Sequence, residues 1–362
     1  MKYQQYLENS NLNTLINEIL FYIDDKVFQN TSSNLLNSKI ETADTINLIL
    51  ADGLGYENLL KSNSNLNKNV SSSINTTFPS STNVALATLA FAKLPIEHGI
   101  LGYYLFDKST DSIFNALNFN NNGSEVFLKN DKFQENISIW NMFKENKISS
   151  NNFQPSSLIN SELSNLLYRK ENTIGYNDSD NLVELFNDSL VLENRFNFIY
   201  YPNIDLAAHI FGVESAEWTS ELNKFENLVE QLSNISNKKC FTIITADHGV
   251  VNIPTENRHT LEYDEQIKIY GDQRSVYIKG KEKDIRNVFK DVPGELLTKR
   301  EIEYLLGETK DKFLKSFYPD FCFLVQDKHI IYPHHLKNQL VGYHGGLSST
   351  EIKIPIIEIS NY

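Results

Sequence analysis

Apolar residues along the chain occur in two patterns, short continuous runs and longer stretches with helical spacing. Continuous runs rich in β-branched and aromatic residues predict buried strands, whereas helical spacing predicts amphipathic helices. The predicted strands are Ile46–Leu50, Phe196–Tyr201, Phe241–Ile244 and a last one within Ile352–Ile359. The predicted helices are Leu12–Leu20, Val84–Ala90, Leu182–Leu192 and Trp218–Ile235. Strands and helices that follow one another in this way predict an α/β domain.

Residues from about 255 to 335 have a different pattern, in which charged helices are mixed with short strands. The predicted helices are Lys281–Phe289 and Leu296–Leu306, and the predicted strands are Ser275–Ile278 and Phe321–Val325. We interpret this segment as a small cap inserted into a single domain that covers residues 1–362. Its histidines are interpreted as surface or loop residues: His259, His329, His334 and His335.

Length and composition allow one large α/β domain or two ordinary ones, since the 362 residues are 41% hydrophobic. No apolar run approaches about 18 residues, so no membrane-spanning segment is predicted. Met1–Tyr6 lacks the pattern of a signal peptide, which makes a cytoplasmic location the expectation. Cys240 and Cys322 lie far apart and outside any CxxC motif, which argues against a disulfide framework or a thiolate metal site.

The formal net charge of −13 narrows the choice of partners. Binding to the backbone of a nucleic-acid polymer needs clustered Lys and Arg, so this class of partner is disfavoured. A small phosphate ester remains compatible with an acidic chain, because bound cations reverse the local sign of the charge.

Acidic and histidine side chains follow several of the predicted strands. Asp247 and His248 come after the strand that ends near Thr245, and Asp52 follows the strand that ends at Leu50. Ligands bind at the carboxyl edge of open α/β sheets, so these three side chains are candidate metal ligands. For Asp52 the alternative is a carboxylate that caps the next helix.

Three more positions complete the set of candidates. Asp205 and His209 are four residues apart after the strand Phe196–Tyr201, so on a helical turn they share one face and can grip one cation. His344 lies in a glycine-rich turn that leaves its imidazole uncovered. His98 also lies beside a glycine, but there a structural hydrogen bond is the preferred interpretation.

A hydroxyl-rich segment, Thr76–Asn83, leads into the helix that contains Val84–Ala90, which is predicted to begin near Ser81 to Asn83. A hydroxyl at a helix N-terminus can cap the free N–H groups, which is the preferred interpretation from these residues alone. It can also be a nucleophile, because the same N–H groups and the helix dipole stabilise an alkoxide and an incoming phosphoryl group.

Three carboxylates and three imidazoles without thiolates suit Zn²⁺, with Mn²⁺ or Fe²⁺ as substitutes. Six protein ligands are too many for one catalytic cation that must keep an open position. Two cations about 4 Å apart fit better, because such a pair clamps an in-line displacement at phosphorus. The candidate ligands are Asp52, Asp205, His209, Asp247, His248 and His344.

In their order along the chain these motifs resemble those of the alkaline phosphatase superfamily, in its type I phosphodiesterase and nucleotide pyrophosphatase branch. The matching stretches are Leu50–Gly53, Thr77–Ser80, Pro95–Gly99, Asp205–His209, Ala246–Gly249 and His344–Gly346. The combination is far more specific than any single stretch. The resemblance implies a doubly wound, mostly parallel sheet flanked by helices. It also implies a zinc-dependent hydrolase, of phosphodiesterase or nucleotide pyrophosphatase type, for small phosphorylated substrates.

The resemblance further implies a role for each candidate ligand. One zinc ion is assigned to Asp205, His209 and His344. The other is assigned to Asp52, Asp247 and His248, and it also contacts the nucleophile. The implied reaction has two steps, in which a threonine attacks phosphorus and water then hydrolyses the phospho-threonine.

The nucleophile has two candidates. In pyrophosphatase relatives the threonine of a Thr-Phe-Pro motif attacks, which selects Thr77. The family's spacing from the glycine that ends the following helix selects Thr82, because Ala92 stands at that place here. Thr82 also lies at the predicted helix entry, so it is the first choice, both as nucleophile and as metal ligand. Its neighbour Asn83 is the candidate donor to a phosphoryl oxygen.

Other functions stay open at this point. A phosphomonoesterase or a phosphonate hydrolase of the same superfamily differs only in a few groups around the outer oxygens of the substrate. A sulfatase is set aside, because neither Cys240 nor Cys322 lies in a Cys/Ser-x-Pro-x-Arg motif. A non-catalytic binding protein is a further alternative. The sequence specifies neither the oligomeric state nor the natural substrate, for which Tyr103, Tyr104 and Trp140 are candidate stacking groups.

Overall fold

A computed structural model of the protein describes residues 3, 6, 10–28, 33–119, 135–168, 172–190, 195–234, 238–332 and 340–362. Its centre is a seven-stranded mixed sheet in which five neighbouring strands are parallel and the strand Lys353–Ser360 runs antiparallel to both of its neighbours. In spatial order the strands are β2 (Val70–Asn75), β17 (Lys353–Ser360), β8 (Cys240–Thr245), β1 (Thr45–Ala51), β7 (Phe196–Tyr201), β5 (Ser150–Pro155) and β6 (Thr173–Tyr176).

The three central strands β8, β1 and β7 are buried along their whole length. Parallel strands covered on both faces read as continuous apolar runs, which is why the sequence pattern predicted all three. Their register places Leu50 of β1 opposite Thr245 of β8 and Tyr200 of β7. The carboxyl ends of these three strands therefore meet at one edge of the sheet.

A row of polar side chains crosses the buried centre of this sheet. Asn47 of β1 donates to Thr242 at 3.2 Å and accepts from Asn197 at 3.0 Å, and Asn151 donates to Asn197 at 3.3 Å. A shift of one residue in any strand would break the row and leave buried amides unpaired. The row therefore favours one register, and with it one arrangement of the strand ends.

Helices flank the sheet, and several match the predicted ones to within a few residues. The α-helices are Leu12–Ile23, Tyr56–Lys61, Thr82–Phe91, Pro95–His98, Ile139–Glu145, Glu162–Tyr168, Ser179–Leu190, Asn203–Phe211, Ala216–Asn234, Glu282–Val288, Lys299–Leu306 and Ser349–Ile352. The predicted helix Leu296–Leu306 is wrong at its start. Leu296 ends a strand, and the helix begins after Thr298, whose hydroxyl accepts from the N–H of Glu301 in a capping box.

A second, six-stranded antiparallel sheet packs around its own hydrophobic cluster. Its strands in spatial order are β13 (Gly294–Leu296), β14 (Phe321–Val325), β12 (Ser275–Lys279), β11 (Lys268–Gly271), β3 (Tyr104–Asp107) and β4 (Ser112–Asn115). Four strands lie within the predicted cap at 255–335, whereas β3 and β4 come from the segment that follows the helix Pro95–His98. The pairing of Gly271 with Tyr104 joins these two parts.

Two short ladders connect the sheets to the loops around them. β9 (Val251–Asn252) pairs antiparallel with β16 (Gly342–Tyr343), and β10 (Arg258–Thr260) pairs in parallel with β15 (Ile330–Tyr332). The first ladder brings the segment near residue 344 to the loop that follows β8. Within the described ranges, every helix is too short or too polar to cross a lipid bilayer.

Candidate active site

The predicted acidic and histidine residues meet at the carboxyl edge of the three central strands. Asp52 directly follows β1, and Asp247 and His248 follow β8. Asp205 and His209 lie on the helix Asn203–Phe211, which begins just beyond β7. The sheet edge therefore collects residues that are distant in sequence, as expected for parallel strands.

We call Asp52, Asp247 and His248 the inner group. The Nε2 atom of His248 lies 3.5 Å from Oδ1 of Asp52 and 3.2 Å from Oδ2 of Asp247, and one ligand atom of each residue lies within 4.8 Å of the others. Gly53 has a φ of +74°, and a Cβ atom there would lie 2.8 Å from the Cβ of Asp205. The close approach of the turn after Asp52 to Asp205 therefore requires glycine at position 53.

We call Asp205, His209 and His344 the outer group. The Nε2 atom of His209 lies 3.0 Å from Oδ2 of Asp205. The ring of His344 stacks on that of His248 with 3.6 Å between centroids, so Asp205, His344 and His248 also have ligand atoms within 4.8 Å of one another. His248 thus stands between the two groups, and His209 joins the outer group through Asp205.

Two backbone carbonyls orient the histidines of the outer group. The Nδ1–H of His209 donates to the carbonyl of Gly342 at 2.7 Å, and the Nδ1–H of His344 donates to the carbonyl of Ser80 at 2.8 Å. A carbonyl oxygen can only accept, so each contact assigns the proton to Nδ1. In both rings Nε2 is left toward the other members of the site, an arrangement found in metal-binding histidines.

Burial and crowding of like charges shift the titration of these groups. Burial, followed by the nearby carboxylates of Asp247 and Asp205, raises the pKa of Asp52 well above its ordinary value. Burial works to raise the pKa of Asp205 as well, but the imidazolium of His209 outweighs it and lowers that pKa. Burial works to lower the pKa of His209, and Asp205 raises it to about 9. Burial, followed by repulsion from His248, lowers the pKa of His344 well below its ordinary value.

The donor set fits a pair of divalent cations. Within the described part of the chain, three buried carboxylate oxygens have no hydrogen-bond donor: Oδ1 of Asp52, Oδ1 of Asp205 and Oδ2 of Asp247. Buried carboxylates without donors are costly unless a cation compensates them. Imidazole nitrogen and carboxylate oxygen are ligands that Zn²⁺ accepts, and Mn²⁺ and Fe²⁺ tolerate the same mixture.

The two candidate nucleophiles lie in different surroundings. Oγ1 of Thr82 is 3.0 Å from Nε2 of His248, at the first residue of the helix Thr82–Phe91. The hydroxyl of Thr77 donates to the carbonyl of Pro79 at 3.0 Å. The helix Thr82–Phe91 is followed by its C-cap residue Ala92, which adopts the left-handed conformation (φ 50°) usual for a terminal glycine. Counting from Ala92 therefore refers to a real helix end.

Asn83 and Asp52 both make side-chain hydrogen bonds that do not cap a helix. One amide hydrogen of Asn83 is donated to the carbonyl of Gly102 at 2.7 Å, which leaves the second for another acceptor. Asp52 does not cap the next helix, because the residue at that N-cap is Gly55. Its Oδ2 atom accepts from the hydroxyl of Tyr200 instead.

The remaining histidines described by the structure lie outside both groups. His98 is buried, its Nδ1 accepts from the N–H of Ile100 at 3.1 Å, and burial lowers its pKa to about 3. Nε2 of His259 in β10 lies 2.9 Å from Nδ1 of His329, which directly precedes β15. His334 and His335 lie outside the described residues.

A cavity of about 600 Å³ opens above the site. Thr82, Asp52, Asp205, His209 and His344 line it. The lining also includes apolar and small polar side chains, among them Leu158, Leu163, Ser164, Leu167 and Tyr168. Such a wall suits the organic part of an ester.

The predicted stacking groups separate into three places. Tyr103 lines the cavity above the site, whereas Tyr104 lines a different groove on the second sheet. Trp140 is wrong as a stacking group, because it packs in the core against Phe143 and Phe196.

Sequence reasoning missed the residues that support the site from outside it. Tyr200, Asp272 and Ser80 each contact a segment that carries a candidate residue. Tyr200 is the penultimate residue of a predicted strand and carries no signal beyond that. Asp272 precedes β12 in a turn of the second sheet, and only the tertiary fold brings it near the helix of Thr82.

Residues 48–338 match the family model described as type I phosphodiesterase/nucleotide pyrophosphatase. Murine ectonucleotide pyrophosphatase/phosphodiesterase 5 has a similar structure, with 16% identity, a TM-score of 0.65 and coverage of 86% of this chain and 87% of the murine one. Its inactive threonine-to-alanine variant in complex with AMP matches with 15% identity, a TM-score of 0.65 and the same coverage. No curated protein sequence matches the chain.

A phosphonoacetate hydrolase from Sinorhizobium meliloti, in complex with phosphonoacetate, is also similar in structure. The identity is 13%, the TM-score is 0.63, and the match covers 87% of this chain and 90% of the hydrolase. At such low identity these structures establish a shared α/β fold of the alkaline-phosphatase type.

Proposed function

The chain belongs to the type I phosphodiesterase/nucleotide pyrophosphatase family, and from this premise we propose that it is a metal-dependent hydrolase of phosphodiesters. One observation carries the proposal. The hydroxyl of Thr82 lies 3.0 Å from Nε2 of His248 at a helix N-terminus, and Asp52, Asp205 and Asp247 in the same site each have one buried carboxylate oxygen without a hydrogen-bond donor. A nucleophile, an anion-binding helix end and a cation-binding cluster thus share one cavity.

We assign the inner cation to Asp52, Asp247, His248 and Thr82, and the outer cation to Asp205, His209 and His344, with zinc as the first choice of metal. His248 lies close enough to the outer group to share in orienting its ligands. Bound divalent cations would supply charge neutralisation at phosphorus and favour the ionised threonine hydroxyl.

Thr82 is the proposed nucleophile. Its Oγ1 atom forms a bond to phosphorus while the bond from phosphorus to the leaving oxygen breaks, and water then hydrolyses the phospho-threonine and restores the hydroxyl. We assign to the second amide hydrogen of Asn83 the role of donor to a phosphoryl oxygen. We assign the leaving group to the part of the cavity that apolar side chains line.

The proposal is tested with bis-p-nitrophenyl phosphate, p-nitrophenyl phosphate and a phosphonate, with Zn²⁺, Mn²⁺ or Fe²⁺ supplied. We expect the diester to be the best substrate. Thr82→Ala should abolish turnover and keep most of the bound metal, whereas the matched control Thr77→Ala should retain activity. Turnover by Thr82→Ala, together with its loss in Thr77→Ala, would move the assignment to Thr77. A protein that binds no metal and hydrolyses none of these compounds would be a binding protein on the same fold.

A phosphonate hydrolase is the second candidate function. It is supported by the structural similarity to a phosphonoacetate hydrolase, which extends over most of both chains. Faster turnover of the phosphonate than of the diester, under the same metal conditions, would select it. Preference for p-nitrophenyl phosphate would instead select a phosphomonoesterase.

A further inference from the structure

Ser81 stands at the N-cap of the helix Thr82–Phe91 but does not cap it. Its backbone is extended (φ −132°, ψ 135°), as usual for an N-cap, and its carbonyl accepts from the N–H of Ala85 at 3.0 Å. Serine at this position ordinarily accepts from the second or third N–H of the helix, which stabilises the helix end. Here the side chain makes no such bond.

The hydroxyl of Ser81 is directed toward the second sheet instead. It lies 2.8 Å from Oδ1 of Asp272 and 3.0 Å from Oδ1 of Asn83. A hydroxyl has one hydrogen, and the carboxylate is the stronger acceptor, so Asp272 holds it. Asp272 is itself fixed, because its Oδ2 accepts from the N–H of Tyr103 at 3.1 Å and its own N–H donates to Ser275 at 3.1 Å.

The consequence is a helix end with free donors. In the described part of the chain, the N–H groups of Thr82, Asn83 and Val84 donate to no oxygen. The first two of these residues line the cavity together with Ser81, and the helix is 10 residues long. Free N–H groups at the start of a helix attract anions, and a phosphoryl group bonded to Thr82 would lie directly beside them.

We propose that Asp272 is a positioning residue, which keeps the hydroxyl of Ser81 away from the helix end so that the N–H groups remain free for phosphoryl oxygens. This inference rests on the proposed function, because it concerns the phosphoryl group that Thr82 would attack. It also gives the second sheet a part in the reaction. An uncapped helix end lowers the stability of the fold, and here it lies at the place where the anion would bind.

A purely structural role for Asp272 is the competing explanation, since its bond to Tyr103 connects the second sheet to the segment that follows the helix Pro95–His98. The two explanations differ in how Asp272 and Ser81 combine. If Asp272 restrains Ser81, its removal is harmful only while the hydroxyl of Ser81 is present. If Asp272 is only structural, its removal is equally harmful with or without that hydroxyl.

The test compares Asp272→Ala, Ser81→Ala and the double variant in the full-length protein at equal metal loading. Burial raises the pKa of Asp272 to about 7, so the assays are run above that value, where the carboxylate is ionised. The two readouts are kcat/KM for bis-p-nitrophenyl phosphate and the affinity for inorganic phosphate, measured by calorimetry. We expect Asp272→Ala to lose about tenfold to a hundredfold in both, because charge-assisted hydrogen bonds to the phosphoryl group are lost. The double variant should return to the level of Ser81→Ala.

Equal losses in Asp272→Ala and in the double variant would overturn the proposal, and so would an unchanged Asp272→Ala. If Asp272→Ala does not fold, Ser81→Asn tests the same point with Asp272 intact. Asparagine is a strong N-cap residue, so this variant should bind phosphate more weakly than Ser81→Ala, and equal affinity would contradict the proposal. If the variants show the expected order of phosphate affinities but the wild-type protein hydrolyses no ester, the proposed function is contradicted and the role of Asp272 is not.

Discussion

The inner and the outer group are built from the same residue types but differ in how their charges are balanced. In the inner group the side chains of Asp52, Asp247 and His248 are 4%, 0% and 0% exposed. In the outer group those of Asp205 and His209 are 12% and 22% exposed and form a pair at 3.0 Å. The outer carboxylate therefore has its own cationic partner, whereas the two inner carboxylates share one histidine.

This difference shows in the direction of the pKa shifts. The pKa of Asp52 is raised by burial and by its neighbouring carboxylates, whereas that of Asp205 is lowered despite burial, because of His209. The inner group thus needs an added positive charge to hold Asp52 ionised. The outer group balances itself with a proton on His209, and a cation that binds there must displace that proton.

The largest expected effect concerns the support of the outer group. Glu351 and Arg274 form a fully buried ion pair at 2.6 Å, and the same carboxylate accepts from the N–H of Gly346 at 2.8 Å, two residues after His344. Glu351→Gln leaves the buried charge of Arg274 with only the exposed carboxylate of Asp327, at 3.6 Å, as an ionic partner, so we expect a loss of about 3–5 kcal/mol in the free energy of unfolding. It should also reduce metal content through the outer cation. Urea unfolding and elemental analysis measure the two effects.

The matched control is Glu282→Gln, which removes an exposed ion pair with Arg286. Exposed pairs contribute little, so neither stability nor metal content should change measurably. If Glu351→Gln lost stability but kept its full metal content, the outer group would not depend on this ion pair.

Removal of metal should have the next largest effect, because the buried carboxylate oxygens without hydrogen-bond donors lose the charge that compensates them. A protein saturated at roughly a thousandfold above Kd is stabilised by about 4 kcal/mol, which a chelator would remove. Thermal unfolding before and after chelation, and after return of Zn²⁺, measures the change. The Asp247→Asn variant should show a smaller response, and an equal response would place the stabilising cation elsewhere.

Substitution of one carboxylate in each group should shift the stability of the metal-free protein in opposite directions. A raised pKa means that Asp52 favours folding below its ordinary pKa of 3.8 and that this contribution is lost as pH rises. Asp52→Asn does not titrate, so near neutral pH it should be more stable than the wild type, by about 1–3 kcal/mol.

Asp205→Asn should be less stable than the wild type, by about 1–3 kcal/mol. The lowered pKa of Asp205 means that its contribution is present above 3.8 and is lost as pH falls. The raised pKa of His209 means that its contribution is lost as pH rises through about 9, so the deficit should be greatest between these limits. Urea unfolding in a chelator across this range tests both variants, and a shift of the same sign in both would contradict the comparison.

The two groups also differed in how far the sequence alone could predict them. Asp52 directly follows one strand and Asp247 lies two residues after another, and the continuous apolar runs of both strands are visible in the sequence, so their meeting follows from parallel pairing. His344 is brought to the site by the pairing of Tyr343 with Val251, and no periodicity in the sequence predicts so short a ladder. The stacking of His248 on His344, which connects the groups, likewise depends on tertiary packing.

The second sheet shows the same limit on a larger scale. Its strands Tyr104–Asp107 and Ser112–Asn115 are short and lie far in sequence from the strands they extend, so the predicted cap included only the segment from about 255 to 335. Asp272 lies in a turn with no metal or nucleophile motif. Side chains that act through another residue leave no spacing pattern, which is why the sequence identified the candidate ligands but none of their supports.

The smallest expected effect concerns the tyrosine hydroxyl that supports the inner group. The hydroxyl of Tyr200 donates to Asp52, and that of its neighbour Tyr201 donates to Glu221 at 2.6 Å, away from both groups. Tyr200→Phe and Tyr201→Phe should each lose about 1 kcal/mol of stability, because each removes one hydrogen bond. Only Tyr200→Phe should weaken metal binding, by about tenfold to a hundredfold, since it alone removes a group that orients a ligand. Competition with a chromogenic chelator measures the affinity, and equal values for the two variants would show that Tyr200 supports the fold and not the inner cation.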